Sequence, residues 1–180
     1  MPAASSDAAT KVNLMSGDAY RESLRRYKPK VFVDGREVAS VVDDPSLRPG
    51  VNALAFTYDY ALRAELEPIA LATQTRRNRV VSRMLHVNES AGDLLNKLEA
   101  VRGLCQETGC AQRYLAHDAL NGIWQAAART DDARGSTEHR ARFQAYLAHV
   151  QDEDLSLGIA MTDAKGDRSK KPHQQANPDA

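Results

Sequence analysis

The sequence has no excess of either charge: 24 basic side chains stand against 24 acidic ones, and the formal net charge is zero. No net positive field is available to gather phosphates, so nucleic acid is not an expected partner. No run of about 18 apolar residues exists, and so no segment reads as a bilayer span. The opening stretch, MPAASSDAATKVNLMSGDAY, contains no continuous apolar region of the kind a secretory leader needs. Only two cysteines are present, Cys105 and Cys110. That is too few for a disulfide framework and fits a reducing compartment. There is also no Gly-rich phosphate loop, no G-x-S-x-G, no paired-carboxylate signature, and no internal repeat with a period of about 20–50 residues. These absences leave a cytoplasmic globular domain of ordinary composition. At 180 residues, 42% hydrophobic and 27% charged, it is long enough for one real core.

What is present is mainly helical. Residues 1–14 are rich in Ala, Ser and Asp and read as a disordered lead-in. SGDAYRESLRRYK reads as a helix capped by Ser16, with Asp18 at its positive end, three basic residues at its negative end, and Pro29 as its stop. KVFVDGREVASVVD holds two β-branched runs joined at Asp34-Gly35, the pair a type I′ turn prefers, and predicts one small hairpin. A helix follows over about residues 51–65, with Leu54, Tyr58, Ala61 and Leu62 on one face. TQTRRNRVVSRMLHV is compatible with an extended connection or a short helix. Three stronger helices follow. In the first, Ser90 is the cap, Asp93 completes a carboxylate variant of the capping box and Gly109 is the stop, while Leu94, Leu95, Leu98, Val101, Arg102 and Cys105 trace an apolar face. The second places Leu115, Ala119, Ile123 and Ala127 in register. The third, capped by Ser136 or Thr137, turns Phe143, Leu147 and Val150 inward.

Chemistry is sparse along this helical frame. Cys105 and Cys110 form a lone C-x4-C with no second pair, and burial as small hydrophobes is the expectation for both. His86, His117, His139, His149 and His173 are scattered. His117 and Asp118 are neighbours in sequence, so on a helix they point about 100° apart. The closing segment is the exception. TDAKGDR sets a glycine between charges, where backbone amides can approach a phosphate and Lys165 or Arg168 can pair with it.

Four stretches, SGDAYRESLRRYKPKVFVDGREV, RPGVNALAFTYDYA, SAGDLLNKLEAVRGLCQETGCAQRYLAHDALN and YLAHVQDEDLSLGIAMTDAKGDRSKKPHQQANPD, occur in the order and spacing of one family. Over about residues 15–180 the chain resembles the flavin-dependent 4-hydroxyphenylacetate 3-hydroxylase family, which also contains 4-hydroxybutyryl-CoA dehydratase. AMTDAKGDR with the following P-x-Q-Q-A-N-P-D is the most specific part and looks closer to the dehydratase branch. The resemblance implies a mainly α N-terminal domain over residues 15–157, with residues 158–180 forming a flavin-contacting loop that would enter a β domain. Lys165, Gly166, Asp167 and Arg168 would lie along FAD, with Pro172, His173 and Gln174 near it. The cofactor would work as FADH2, supplied by a separate flavin reductase. The substrate would be a small aromatic or acyl compound, and the parent enzyme a tetramer.

The chain departs from the family pattern in two respects. The dehydratases place two cysteines four apart ahead of HDALN to hold an iron–sulfur cluster. Here Cys110 stands at the first position and Tyr114 at the second, so a cluster is not expected and Cys110 is left as a single candidate ligand. The hydroxylases use an arginine, a tyrosine and a histidine on the phenol. Asp118 matches their motif, but Ala119 replaces the tyrosine and Ile159 the histidine, which leaves Arg113 as the candidate for an anionic substrate. The resulting expectation is the N-terminal domain of a two-component flavin monooxygenase, inactive as these 180 residues alone. The alternatives are a dehydratase-like enzyme and a non-catalytic helical module.

Overall fold

The computed structural model describes residues 8–159, 166–167 and 169–176. Helix α1, Gly17–Tyr27, starts where the Ser16 hydroxyl accepts the Ala19 amide at 3.1 Å. It ends at Lys28, whose φ of 44° turns the chain out of the helix just before Pro29. Strands β2, Phe32–Val33, and β3, Arg36–Glu37, form the expected hairpin. Asp34 and Gly35 between them both have positive φ, 50° and 75°, as a type I′ turn requires.

Helix α2 spans Arg48–Ala61, three residues earlier at its start than periodicity indicates, because Pro49 is well placed in a first turn where no amide donor is needed. Tyr58 and Ala61 of its expected inner face are buried, whereas Leu62, the capping residue, is exposed. A one-turn helix α3, Glu67–Ala70, leads into β4, Leu71–Gln74, which pairs antiparallel with β5, Arg79–Ser82. The ambiguous TQTRRNRVVS segment is therefore a second hairpin, so the chain carries more than the one hairpin expected. Asn78 makes its turn in the left-handed region, φ 50°. Thr10–Lys11, inside the expected lead-in, form β1 and add to β5 in parallel, giving the order β1-β5-β4.

Three long helices complete the fold: α4, Ala91–Thr108, α5, Tyr114–Arg134, and α6, Glu138–Asp152. Ser90 caps α4 through the Asp93 amide at 3.1 Å, and Gly109 ends it at φ 74°. Helices α5 and α6 pack as a hairpin across Gly135. There the α6 cap is neither Ser136 nor Thr137 alone. Buried Asp131 of α5 accepts the amides of His139 at 3.1 Å and Arg140 at 2.9 Å, while Ser136 accepts that of Glu138.

The expected face of α4 is reversed. Leu94, Leu95 and Leu98 are 46%, 64% and 53% exposed, and Cys105 is exposed too. The buried residues are Lys97, Ala100 and Leu104. Close approach explains this: Ala100 joins Tyr60, Ala61 and Ala111 in one core cluster, and a Cβ on Gly103 would meet the Tyr60 hydroxyl. Only small residues fit at positions 100 and 103 of that seam, and Leu94, Leu95 and Leu98 are left outside. On α5, likewise, Leu115 and Ile123 are exposed while Ala116, Leu120 and Ala127 are buried. The inward set of α6 is as expected. Phe143, Leu147 and Val150 form the second cluster with Leu85, Val87 and Leu120. Among the described residues, no helix is long and apolar enough to cross a membrane.

Candidate functional site

Arg113, at the start of α5, is 2% exposed and does not face solvent. Its Nη2 donates to Asp154 Oδ1 at 2.7 Å and to the Leu155 carbonyl at 3.1 Å, and its guanidinium lies 4.0 Å from the Tyr58 ring centroid. Asp154 sits just past α6 at φ 46°, and its second oxygen accepts the Met15 amide at 3.0 Å. The Tyr58 hydroxyl and Ser156 Oγ are 2.7 Å apart, and Tyr58 stacks on Tyr20 at 5.1 Å. Burial pushes the Tyr20 phenol up to about 12. Together these groups clamp the chain where it leaves α6 toward the closing segment. Sequence reasoning missed Asp154, although a signal was present. Gln-Asp-Glu-Asp at a helix C-terminus opposes the helix dipole, so one of those acids needs another partner.

The described part of the closing segment is held by its own side chains. Gln175 Oε1 accepts the Asp167 amide at 2.8 Å, and its Nε2 donates to the carbonyls of Asp167 at 2.7 Å and Lys170 at 3.0 Å. Asp167 accepts the Ser169 amide at 3.0 Å and the Ser169 hydroxyl at 2.6 Å, which keeps its carboxyl below the usual range. Gly166 lies so close to Gln175 that a Cβ there would collide with its amide. Pro172, His173 and Gln174 form a single 3-10 turn, with His173 exposed. Lys165 and Arg168 lie outside the described residues. Gln175, the staple of this segment, was read in sequence only as part of a motif.

A second polar cluster is buried under α4 and α5. Arg83, 3% exposed, donates to the carbonyls of Ile69 at 2.6 Å and Leu71 at 2.5 Å, and approaches Asp93 at 3.3 Å. His117 Nδ1 donates to the Arg83 carbonyl at 2.9 Å, which leaves Nε2 without a partner. His86 is fully buried. Neither of its ring nitrogens is hydrogen-bonded, and Nε2 stands 3.4 Å from Asp93. Burial lowers both histidines from their ordinary values. Burial raises the Asp93 carboxyl, but bonds from the Glu89 amide and the Ser90 hydroxyl, with His86 close by, outweigh it and bring Asp93 to about 2. Asp118 points away from His117, as helical geometry requires, and accepts Lys97 at 3.0 Å.

Cys105 and Cys110 are both exposed, not buried as expected, because one lies on the outward face of α4 and the other just beyond its cap. Among the described residues, no group of three or more His, Cys, Asp or Glu side chains could hold a metal. The closing segment presents, among the described residues, an exposed Gly166 and the turn after it.

Residues 16–180 match the family described as 4-hydroxyphenylacetate 3-hydroxylase N terminal. The chain belongs to that family. A 4-hydroxybutyryl-CoA dehydratase/vinylacetyl-CoA-Δ-isomerase from Clostridium aminobutyricum is 33% identical over 167 residues, covering 92% of this chain and 34% of that protein. Among solved structures, an oxygen-tolerant archaeal 4-hydroxybutyryl-CoA dehydratase from N. maritimus superposes with a TM-score of 0.82 at 43% identity, over 93% of this chain and 33% of the other. The oxygenase component of 4-hydroxyphenylacetate 3-monooxygenase, complexed with FAD and 4-hydroxyphenylacetate, gives a TM-score of 0.69 at 20% identity, over 91% and 33%. At that identity the likeness is one of fold. The chain spans about a third of the length of these relatives.

Proposed function

We propose that this chain is the N-terminal helical domain of an FAD-dependent enzyme, and that its closing segment forms one edge of the flavin site. The family match, which runs through residue 180 and so takes in the closing segment, carries this reading. In it, Lys165, Gly166, Asp167 and Arg168 run along the cofactor, and Pro172, His173 and Gln174 lie near it. Gly166 leaves room for the Gln175 amide that presets the turn, and Arg168 pairs with the pyrophosphate. FAD supplies the redox chemistry and the protein positions it. Both faces of the flavin must be covered for tight binding, so these 180 residues alone are inactive and need the remainder of the enzyme.

The reaction favoured is oxygenation of a small aromatic or acyl substrate by reduced flavin, fed by a separate reductase. The observation behind it is Tyr114, a phenol where the dehydratases carry a second cluster thiolate. A dehydratase-like reaction is the second reading, and the 43% and 33% identities to dehydratases favour it. Anaerobic purification of the native protein from its own cells, with flavin, iron and sulfide analysis, tests both. Stoichiometric FAD without iron is expected. A stoichiometric cluster would move the assignment to the dehydratase branch, and absence of flavin would remove both readings.

A further inference from the structure

Helices α5 and α6 leave an open apolar groove of about 460 Å³ between them, lined by Ile123, Ala126, Thr130, Phe143 and Tyr146. Ile123 and Tyr146 are 48% and 46% exposed. The face of α5 beside the groove follows from spacing. On a helix turning about 100° per residue, Leu115, Ala119, Gly122, Ala126 and Ala133 fall within about 60° of one line. Leu115 is 53% exposed, and Gly122, Ala126 and Ala133 are exposed with it. A Cβ on Gly122 would meet nothing within 4 Å, so another backbone can approach closely there. Ile123 borders this line on the α6 side, and Asp118 and Arg129 border it on the other. Arg129 has no carboxylate partner among the described residues. Asp118 gives only Oδ1 to Lys97, at 3.0 Å.

Apolar and small residues alone do not choose an occupant; the charges at the edge do. The occupant must bring a small residue to Gly122 and an apolar side chain to Ile123 and Tyr146. It must also bring a cation to Asp118 and an anion to Arg129, about 16 Å apart along the axis. A second α5, laid antiparallel with its Ala126 against Gly122, supplies all four. The same register sets Leu115 over Ala133 and brings Ile123 and Tyr146 of both copies beside the two-fold axis. It also places each Asp118 within ~1.5 Å, along the helix, of the level of the other copy's Arg129. We propose that this face binds a second copy of the chain through an antiparallel, isologous α5–α5 contact, with Asp118 of each copy paired to Arg129 of the other. The family resemblance implies an oligomer but does not say which helices meet. None of residues 158–176 lines the groove, so this inference and the flavin reading fail independently.

Sedimentation equilibrium of the protein between about 1 and 100 μM tests the contact. A reversible shift from the mass of one chain to that of two is expected. Ile123→Asp, at an exposed position, should abolish the shift with unchanged circular dichroism. Arg129→Glu should weaken association about tenfold, because each new carboxylate meets an Asp118. Adding Asp118→Asn, which keeps an acceptor for Lys97, should recover part of that loss. With Cys105→Ser and Cys110→Ser in place, Ile123→Cys should oxidise to a linked dimer under copper–phenanthroline. Gln125→Cys, about 160° away round the helix, should not. A single-chain mass at about 100 μM, which would leave this face to a different partner, would overturn the inference. So would association unchanged by Ile123→Asp, no recovery on adding Asp118→Asn, or equal linkage at the two cysteine positions.

Discussion

Replacing Arg113 by methionine should be among the most damaging single changes in this fold. The Arg113 and Asp154 side chains are each 1% exposed and 2.7 Å apart, so the substitution leaves a carboxylate in the core with only the Met15 amide to solvate it. Removing one partner of such a pair costs about 3–5 kcal/mol. For a domain of this length that corresponds to a fall in Tm of roughly 6–20 °C. The pair itself is not a large net source of stability. Arg113 Nε and Nη1 are buried without partners, a cost that methionine removes. The double variant Arg113→Met/Asp154→Asn should therefore recover much of the loss, because asparagine carries no charge and tolerates the φ of 46° at that position. Urea unfolding followed by circular dichroism gives all three free energies. A single-variant cost below about 1 kcal/mol, or a double variant worse than the single, would refute the account of a desolvated pair.

Other consequences follow from the same packing. His86 and His117 bind fewer protons when folded than when unfolded, so stability should be full above about pH 6.5 and fall below it, by up to about 2.7 kcal/mol per pH unit for the two rings. Unfolding midpoints between pH 7.5 and 5 check this, and a flat profile would contradict it. Gly103→Ala, ordinarily stabilising in a helix by about 1 kcal/mol, should instead destabilise by roughly 1–3 kcal/mol, because the added methyl meets the Tyr60 hydroxyl in the α2–α4 seam. Leu95→Glu with Leu98→Lys should leave stability nearly unchanged while reducing self-association in size-exclusion chromatography, since both leucines lie on the outward face of α4. Both cysteines should react with a thiol reagent in the native state, and two slow thiols would contradict their exposure.

Local chemistry was legible wherever one residue has few alternatives. Ser16 and Ser90 as caps, Asp34-Gly35 as a I′ turn and Gly109 as a helix stop are each fixed by a backbone group that needs a partner or a positive φ. The inward face of α4 was not legible. Leu94, Leu95 and Leu98 make one helical stripe and Lys97, Ala100 and Leu104 another, and periodicity does not say which one meets a neighbour at close range. The β4–β5 hairpin was hidden by polar side chains whose partners are distant in sequence, such as Gln74 with Gln151 and Arg77 with Asp152. In the closing segment the glycine between charges was visible from composition. The Gln175 staple was not, because a glutamine becomes a turn-former only once the chain returns to meet it.

The bond from the Met15 amide to Asp154 joins residues 139 apart, about twice the separation of Thr10 and its partner Arg79 in the β1–β5 pair. While the ribosome is still making α6, the strand at Thr10–Lys11 has its partner and α1 has Asp59 and Tyr58 of α2, but Met15 between them lacks its acceptor. Only when Asp154 emerges does the first part of the chain lock to the last. Completion of this domain is thus timed to the moment synthesis reaches the segment proposed to meet the flavin, and a pause before that point should leave the link at Met15 open to proteases.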